Sequence, residues 1–197
     1  MENCYLLSWK EGKDPLASAF APEDTKPSYE LISDLNGLNE LPFELDLIKL
    51  DVDINGLIKS NDLSNLKEIW RDYQPNSLAW PLMSERMKSI VEDNLTGDEG
   101  IDWISALVNS SQEKRKYYIP RFNTELDVLN FEKTMFIDGT DHILKPVFDS
   151  SKLGSYTMFI KPSSFQITPG IYIKETLRKI ILKEKLTGIS FEMTKVV

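Results

Sequence analysis

The residues best suited to chemistry are few in this chain. Its one Cys, Cys4, and its one His, His142, lie 138 positions apart. Zinc sites need His and Cys clustered at short spacings, so a His- or Cys-based metal site has no donors here. A Ser–His–Asp triad would have to use His142 in "GTDHIL", where no G-x-S-x-G elbow precedes it. His142 reads as a loop or cap residue, and Cys4, inside the apolar run "CYLLSW", reads as a small core residue. No G-x-G-x-x-G or P-loop offers a cradle for a nucleotide, so no cofactor is expected.

Carboxylates remain. Paired acids can hydrolyse glycosides, but 31 Asp and Glu residues make no single pair distinctive. Asp51 with Asp53, or Asp98 with Glu99 and Asp102, could hold a hard cation such as calcium. "DVDING" has the opening of an EF-hand loop but puts Asp62 where the bidentate Glu belongs, so no metal site is assigned. "EKRKYY" (113–118) mixes basic and aromatic residues as nucleic-acid binders do, yet one short run reads more simply as a solvated hairpin face.

The charge pattern is more specific than any motif. The chain has 197 residues and a net charge of −8. Residues 1–80 carry 15 acidic against 7 basic side chains, and residues 81–197 carry 16 of each. The excess therefore sits wholly in the first 80 residues. Such a field repels nucleic acid and membranes and attracts basic partners. No stretch approaches the roughly 18 apolar residues of a membrane helix, and the start does not read as a secretory signal, so a cytoplasmic protein is expected. One Cys allows no internal disulfide.

The elements that position these residues follow from periodicity. "CYLLSW" (4–9) reads as a first strand, and Tyr29–Ile32 as a second after a proline-flanked loop. In "PFELDLIKLDVDI" (42–54) Phe43, Leu45 and Leu47 alternate with Glu44 and Asp46, a half-buried strand whose phase shifts at Ile48. Leu63, Leu66, Ile69 and Trp70 stand at helical spacing behind a polar cap. "WPLMSERMKSIVEDN" (80–94) predicts a helix with Ser84 as N-cap and Met87, Ile90 and Val91 as its buried stripe. Residues 101–122 predict a hairpin turning near Asn109–Gln112, with Pro120 demanding an edge or a bulge. "HILKPVFD" and "SYTMFIKP" read as strands. The tail reads as strand–helix–strand, with Leu177, Ile180 and Ile181 facing inward and Gly188 as C-cap. Strands and helices without βαβ alternation predict an α+β fold with a mixed or antiparallel sheet and a few helices. They are expected in one globular domain over 1–197, with an acidic lobe at 1–80 and a neutral lobe at 81–197.

Three segments in order carry a resemblance. "WPLMSERMKSIVE" (80–92), "YYIPRFNTELDVLNFEKTMF" (117–136) and "YTMFIKPSSFQITPGIYIKETLRKIILKEKLTGISF" (156–191) resemble the bacterial polymorphic-toxin immunity proteins catalogued as immunity family eleven. Two positions depart from the family's pattern: Lys174 stands where a Ser usually opens the last helix, and Asn130 replaces the second Asp of an acidic pair. The resemblance implies a non-catalytic protein that binds and neutralises a cognate toxin domain, and it transfers no active site.

Joined to the charge pattern, this implies a basic toxin as partner. Asp46, Asp51, Asp53, Asp98, Glu99 and Asp102 are then the candidate rim charges of the contact surface, with Trp70 or Trp103 as apolar anchor. The competing expectations are a carboxylate-based hydrolase, either a glycosidase or a metal-dependent enzyme, and an adaptor module with no toxin partner. The identity of the toxin, the mode of inhibition and the oligomeric state stay open.

Overall fold

The computed structural model describes residues 3–10, 16–53, 56–163 and 165–197, without the side chains of residues 51–53 and 57. The strands are β1 (Cys4–Trp9), β2 (Ala17–Phe20), β3 (Leu45–Asp53), β4 (Gly56–Ser60), β5 (Met83–Ser84), β6 (Ile101–Asn109), β7 (Lys114–Phe122), β8 (Met135–Phe136), β9 (Ile143–Lys145), β10 (Met158–Ile160), β11 (Ile171–Lys174) and β12 (Ile189–Thr194). Three helices accompany them: α1 (Ser28–Asp34), α2 (Glu85–Glu92) and α3 (Glu175–Lys183). The fold is α+β.

One antiparallel sheet has the order β10-β11-β1-β12. The other runs β2-β3-β6-β7-β5, with β4 also on β3, and is mixed because β3 and β6 are parallel. Residues 1–80 do not build a sheet of their own. β1 sits between β11 and β12, and β3 is bonded to β6. The division at residue 80 is one of charge, and chain pairing crosses it in both sheets.

Three apolar clusters fill the interior. The first lies on one face of the mixed sheet and includes Leu45, Leu47, Ile104, Ala106, Val108, Tyr117 and Trp80. The second joins Tyr5 and Leu7 to α2 and α3 through Met87, Val91, Leu177 and Ile181. The third lies on the opposite face of β1, where Cys4 meets Leu129, Phe148, Phe159 and Tyr172. Pleating explains the division, since successive residues of a strand point to opposite faces. Tyr5 and Leu7 thus pack on the helices, and Cys4 on the segment 126–153. In that third cluster Phe148 makes edge-on contacts with Phe159 at 5.0 Å and Tyr172 at 4.7 Å.

Local signals govern several elements. Ser84 caps α2 by accepting from the Met87 amide at 3.1 Å. Met87 and Val91 are buried, and Ile90 is half-buried. β6 and β7 pair in continuous register around a turn at residues 110–113. β5 covers only Tyr117 and Tyr118 of β7, so Pro120 lies on the uncovered part of that edge, where a missing N–H breaks no ladder. α3 has no side-chain cap at Lys174; the Asn3 carbonyl accepts from the Glu175 amide at 2.9 Å instead. The Lys174 ammonium reaches the Gly154 carbonyl.

Four expectations are corrected. Tyr29–Ile32 is in α1, not a strand: Pro27 precedes it, and Leu31 and Leu35, four apart, share the face on the first cluster. Residues 61–73 form no helix. Asp62 accepts from the Ser64 amide at 3.0 Å, a single turn follows at Leu63–Leu66, and Ile69 and Trp70 pack on the first cluster from extended chain. The phase of β3 does not change at Ile48, since Leu45, Leu47 and Lys49 are all buried on one side. Gly188 does not end α3. Lys185, at φ 54°, takes the left-handed position, and the Leu186 amide bonds back to Ile181 while that of Lys185 bonds to Leu182. Gly188, at φ 80°, instead crosses the chain at Tyr73, where an added Cβ would stand 2.5 Å from the Tyr73 carbonyl oxygen.

Candidate functional site

The acidic candidates are built into different parts of the mixed sheet. Asp46 is exposed at the start of β3, beside Asn109, which donates to it at 3.4 Å. Its neighbour Glu44 accepts from Lys114 at 2.8 Å and Asn109 at 2.6 Å, and the Lys114 ammonium holds its carboxyl below the usual range. Asp51 and Asp53 continue β3 away from β6, with their side chains outside the described residues.

Asp98 is exposed in the turn before β6. Glu99, the next residue, is fully buried. Its carboxylate accepts from the amides of Thr96, Gly97 and Thr157 and from the hydroxyls of Thr96 and Thr157, at 2.9–3.2 Å. Burial alone would raise its pKa, but these donors outweigh it and hold the carboxyl below its ordinary value. Glu99 is therefore a tie between the loop after α2 and the segment entering β10. It is not a rim charge, because its oxygens do not reach the surface.

Asp102 receives both arms of Arg121, each at 2.7 Å. Arg121 is buried and also donates to the carbonyls of Leu35 and Leu38 at 3.1 Å. The guanidinium lowers the Asp102 pKa. The fork ties β6 and β7 to the end of α1.

The register separates these groups. Asp46 aligns with Asn109, and Asp102 lies seven residues back along β6, roughly 23 Å at about 3.3 Å per residue. The tryptophans are divided as well. Trp70 stacks on Tyr117 with ring centroids 6.1 Å apart, and the Arg115 guanidinium lies 4.8 Å over its ring. Tyr117 is paired with Ala106 and faces the first cluster. Trp103, three residues from Ala106, points to the other face, packs on the second cluster and lies under the Lys88 ammonium at 5.6 Å. The six candidates whose side chains are described thus form no single surface.

A cleft of about 490 Å³ opens beside Trp70, with Arg71, Asp72, Arg86, Arg115 and Tyr117 among its walls. It contains three acids, as a carboxylate hydrolase would require: Glu68, Asp72 and Glu85, the last exposed and accepting from the Tyr118 hydroxyl at 3.4 Å. Asp72 accepts from the Ser84 hydroxyl at 2.7 Å and from the Thr187 amide at 2.9 Å. Glu68 pairs with Arg71 at 3.2 Å. Among the described residues, no group of three or more His, Cys, Asp or Glu side chains is placed to hold a metal ion. His142 is exposed in the turn between β8 and β9, where its amide bonds Thr140.

Sequence reasoning missed Arg115 and Arg121 as partners of Trp70 and Asp102, because cross-strand register sets both contacts. It also missed the exposed side chains of the β8–β9 hairpin, which read as ordinary strand residues.

No described helix is long and apolar enough to cross a membrane. No curated protein matches the chain. A family model described as "Immunity protein family (Imm11)" matches residues 58–196, taking in all three segments that carried the resemblance, strands β6, β7 and β11, and helices α2 and α3. With 139 of its 197 residues inside that match, the chain belongs to the immunity protein family Imm11.

Proposed function

We propose that this protein is non-catalytic and protects a bacterial cell by binding a toxin domain in the cytoplasm, acting as one unit over residues 1–197. The observation that carries the reading is the family match over 58–196. The charge pattern supports a basic partner: an excess of eight negative charges on residues 1–80 makes a field that speeds encounter with a positively charged domain. Because the acidic candidates whose side chains are described do not converge, that excess acts as a steering field over distance, not as one contact patch. Two of the three acids of the Trp70 cleft, Asp72 and Glu68, are tied to neighbouring backbone and side chains, which favours the binding reading over hydrolysis.

The test is co-expression with the toxin encoded beside this chain, followed by association kinetics between about 50 and 500 mM NaCl, a range over which screening shortens from about 14 Å to about 4 Å. The expected results are restored growth and an association rate that falls at least tenfold across the series. Growth arrest despite a folded, soluble protein overturns the reading. An association rate indifferent to salt overturns its electrostatic part.

A further inference from the structure

β12 is the outermost strand of the four-stranded sheet, bonded to β1 on one edge. Its register with β1 runs from Cys4↔Thr194 to Trp9↔Ile189, and just beyond it the Lys10 amide bonds the Gly188 carbonyl at 2.9 Å. Antiparallel pairs alternate between those that exchange hydrogen bonds and those that do not. Gly188, Ser190, Glu192 and Thr194 therefore direct their main-chain groups to β1, and Ile189, Phe191, Met193 and Lys195 direct theirs outward. Among the described residues, no hydrogen bond reaches the N–H or C=O of Phe191 or Met193.

The outward edge is taken up only past the end of β12. The Lys195 carbonyl accepts from the Phe148 amide at 3.0 Å, and the Phe148 carbonyl accepts from the Val197 amide at 2.9 Å, a parallel pairing of Phe148 with Val196. Two residues further back, the same pairing would bring residue 146 to the Met193 carbonyl. Residue 146 is a proline and has no N–H to give. Pro146 thus ends the chain's own pairing on this edge and leaves Phe191 and Met193 open. Sheet edges are ordinarily guarded by charge, by proline or by brevity. β7 carries Lys114, Arg115, Lys116 and Pro120; β10 has three residues, all buried; β2 is held at Ala19 by Pro75 and Ser77. Ile189–Thr194 contains no Lys, Arg or Pro, and its Met193 is 65 % exposed.

The free groups select their occupant. An extended backbone offers donors and acceptors at the spacing of Phe191 and Met193, and it exchanges a pair of bonds with each. Ile189, Phe191 and Met193 lie on one face of the strand, so alternate side chains of the incoming segment meet an apolar row. A second copy of β12 does not fit. Two such strands paired antiparallel about Phe191 would set Lys195 of one copy opposite Thr187 of the other. Phe148 already holds the Lys195 carbonyl on that edge, and the Tyr73 amide holds the Thr187 carbonyl at 3.1 Å, so the two blocks collide. A short segment laid along Ile189–Met193 avoids both.

We propose that the open edge of β12 receives a short extended segment of the toxin, with apolar residues at alternate positions, as a fifth strand of the four-stranded sheet. This rests on the reading of the chain as an immunity protein and names its contact surface. Steering by residues 1–80 then precedes docking on a strand of the C-terminal part.

The experiment measures Kd and amide hydrogen exchange with a catalytically silenced form of the toxin encoded beside this chain. Met193→Pro removes the outward N–H but no bond to β1, whereas Met193→Ala removes the exposed side chain and keeps the N–H. The expected result is a Kd raised about tenfold or more by Met193→Pro and by less than about threefold by Met193→Ala. In the wild type, the Phe191 and Met193 amides exchange rapidly when free and about tenfold or more slowly in the complex. The exchange measurement uses no variant, so it decides the matter even where the proline disturbs the strand. A tight complex whose Phe191 and Met193 amides exchange as fast as in the free protein overturns the surface alone. Equal losses from Met193→Pro and Met193→Ala overturn main-chain pairing. Absence of binding by the wild type overturns the immunity reading and the surface with it. Protection of the two amides that grows with the concentration of this chain by itself overturns the choice of occupant.

Discussion

Replacing Glu99 by Gln removes a buried charge while keeping its shape, and the structure allows the effect to be sized. One carboxylate oxygen accepts from the Thr96 and Gly97 amides and the Thr96 hydroxyl; the other accepts from the amide and hydroxyl of Thr157. Whichever oxygen becomes the amide NH₂, a donor is set against at least one partly buried backbone N–H. Stranding one or two such groups costs about 1–3 kcal/mol each, and the remaining bonds lose their charge assistance. The sum is about 3–5 kcal/mol, which for a chain of this length lowers the melting temperature by roughly 6–20 °C. The pH dependence supplies a second readout. The folded carboxyl titrates below its ordinary value of 4.5, so its contribution is complete above that pH and is lost as pH falls through the lower folded value. The glutamine side chain of the variant has no such titration. The stability gap between wild type and Glu99→Gln is therefore widest near neutrality and narrows below about pH 4.5. Calorimetric melts of both proteins from pH 7 to pH 3.5 measure this. A drop under about 2 °C at neutral pH, or a gap that stays constant in acid, refutes the role of Glu99 as an internal tie.

Two further substitutions probe the crossings that hold the sheets together. Gly188→Ala places a Cβ 2.5 Å from the Tyr73 carbonyl oxygen at a positive φ, so a loss of about 2–4 kcal/mol is expected in chemical denaturation, far more than for Gly37→Ala, where the added carbon meets nothing. Arg121→Met leaves the partly exposed Asp102 and the carbonyls of Leu35 and Leu38 without their donor; about 2–4 kcal/mol should be lost, and adding Asp102→Asn should recover part of it in a double-mutant cycle.

Elements whose signal is local were legible in the chain. A short apolar run marked β1, alternation marked β3, the Ser84 side chain marked the start of α2, and a polar turn between two β-rich runs marked β6 and β7. The stretch 61–73 misled because Leu63, Leu66, Ile69 and Trp70 have helical spacing, yet a single turn and extended chain also bring them to the first cluster, and Asp62 and Ser60 spend their side chains on local amides. Tyr29–Ile32 misled in the opposite sense: four residues are too few to show a period, and the pair Leu31 and Leu35 that defines α1 extends past them.

The candidate site was legible only as chemistry and charge. Asp98 and Glu99 are adjacent acids that the sequence treats alike, but one faces water and the other is enclosed by donors from Thr96, Gly97 and Thr157. The choice between them rests on a residue 58 positions away. By itself the sequence determined the class of fold, the poverty of His and Cys, the acidic first 80 residues and the ordered segments that mark an immunity protein, because these depend on composition and short-range pattern. Tertiary structure alone decided that β1 lies between β11 and β12, that the acidic candidates are spread along the mixed sheet, and that the apolar residues of the β8–β9 hairpin stay exposed. Those outcomes depend on which distant strands pair and in what register, and a one-residue difference in register exchanges the buried face of a strand for the exposed one.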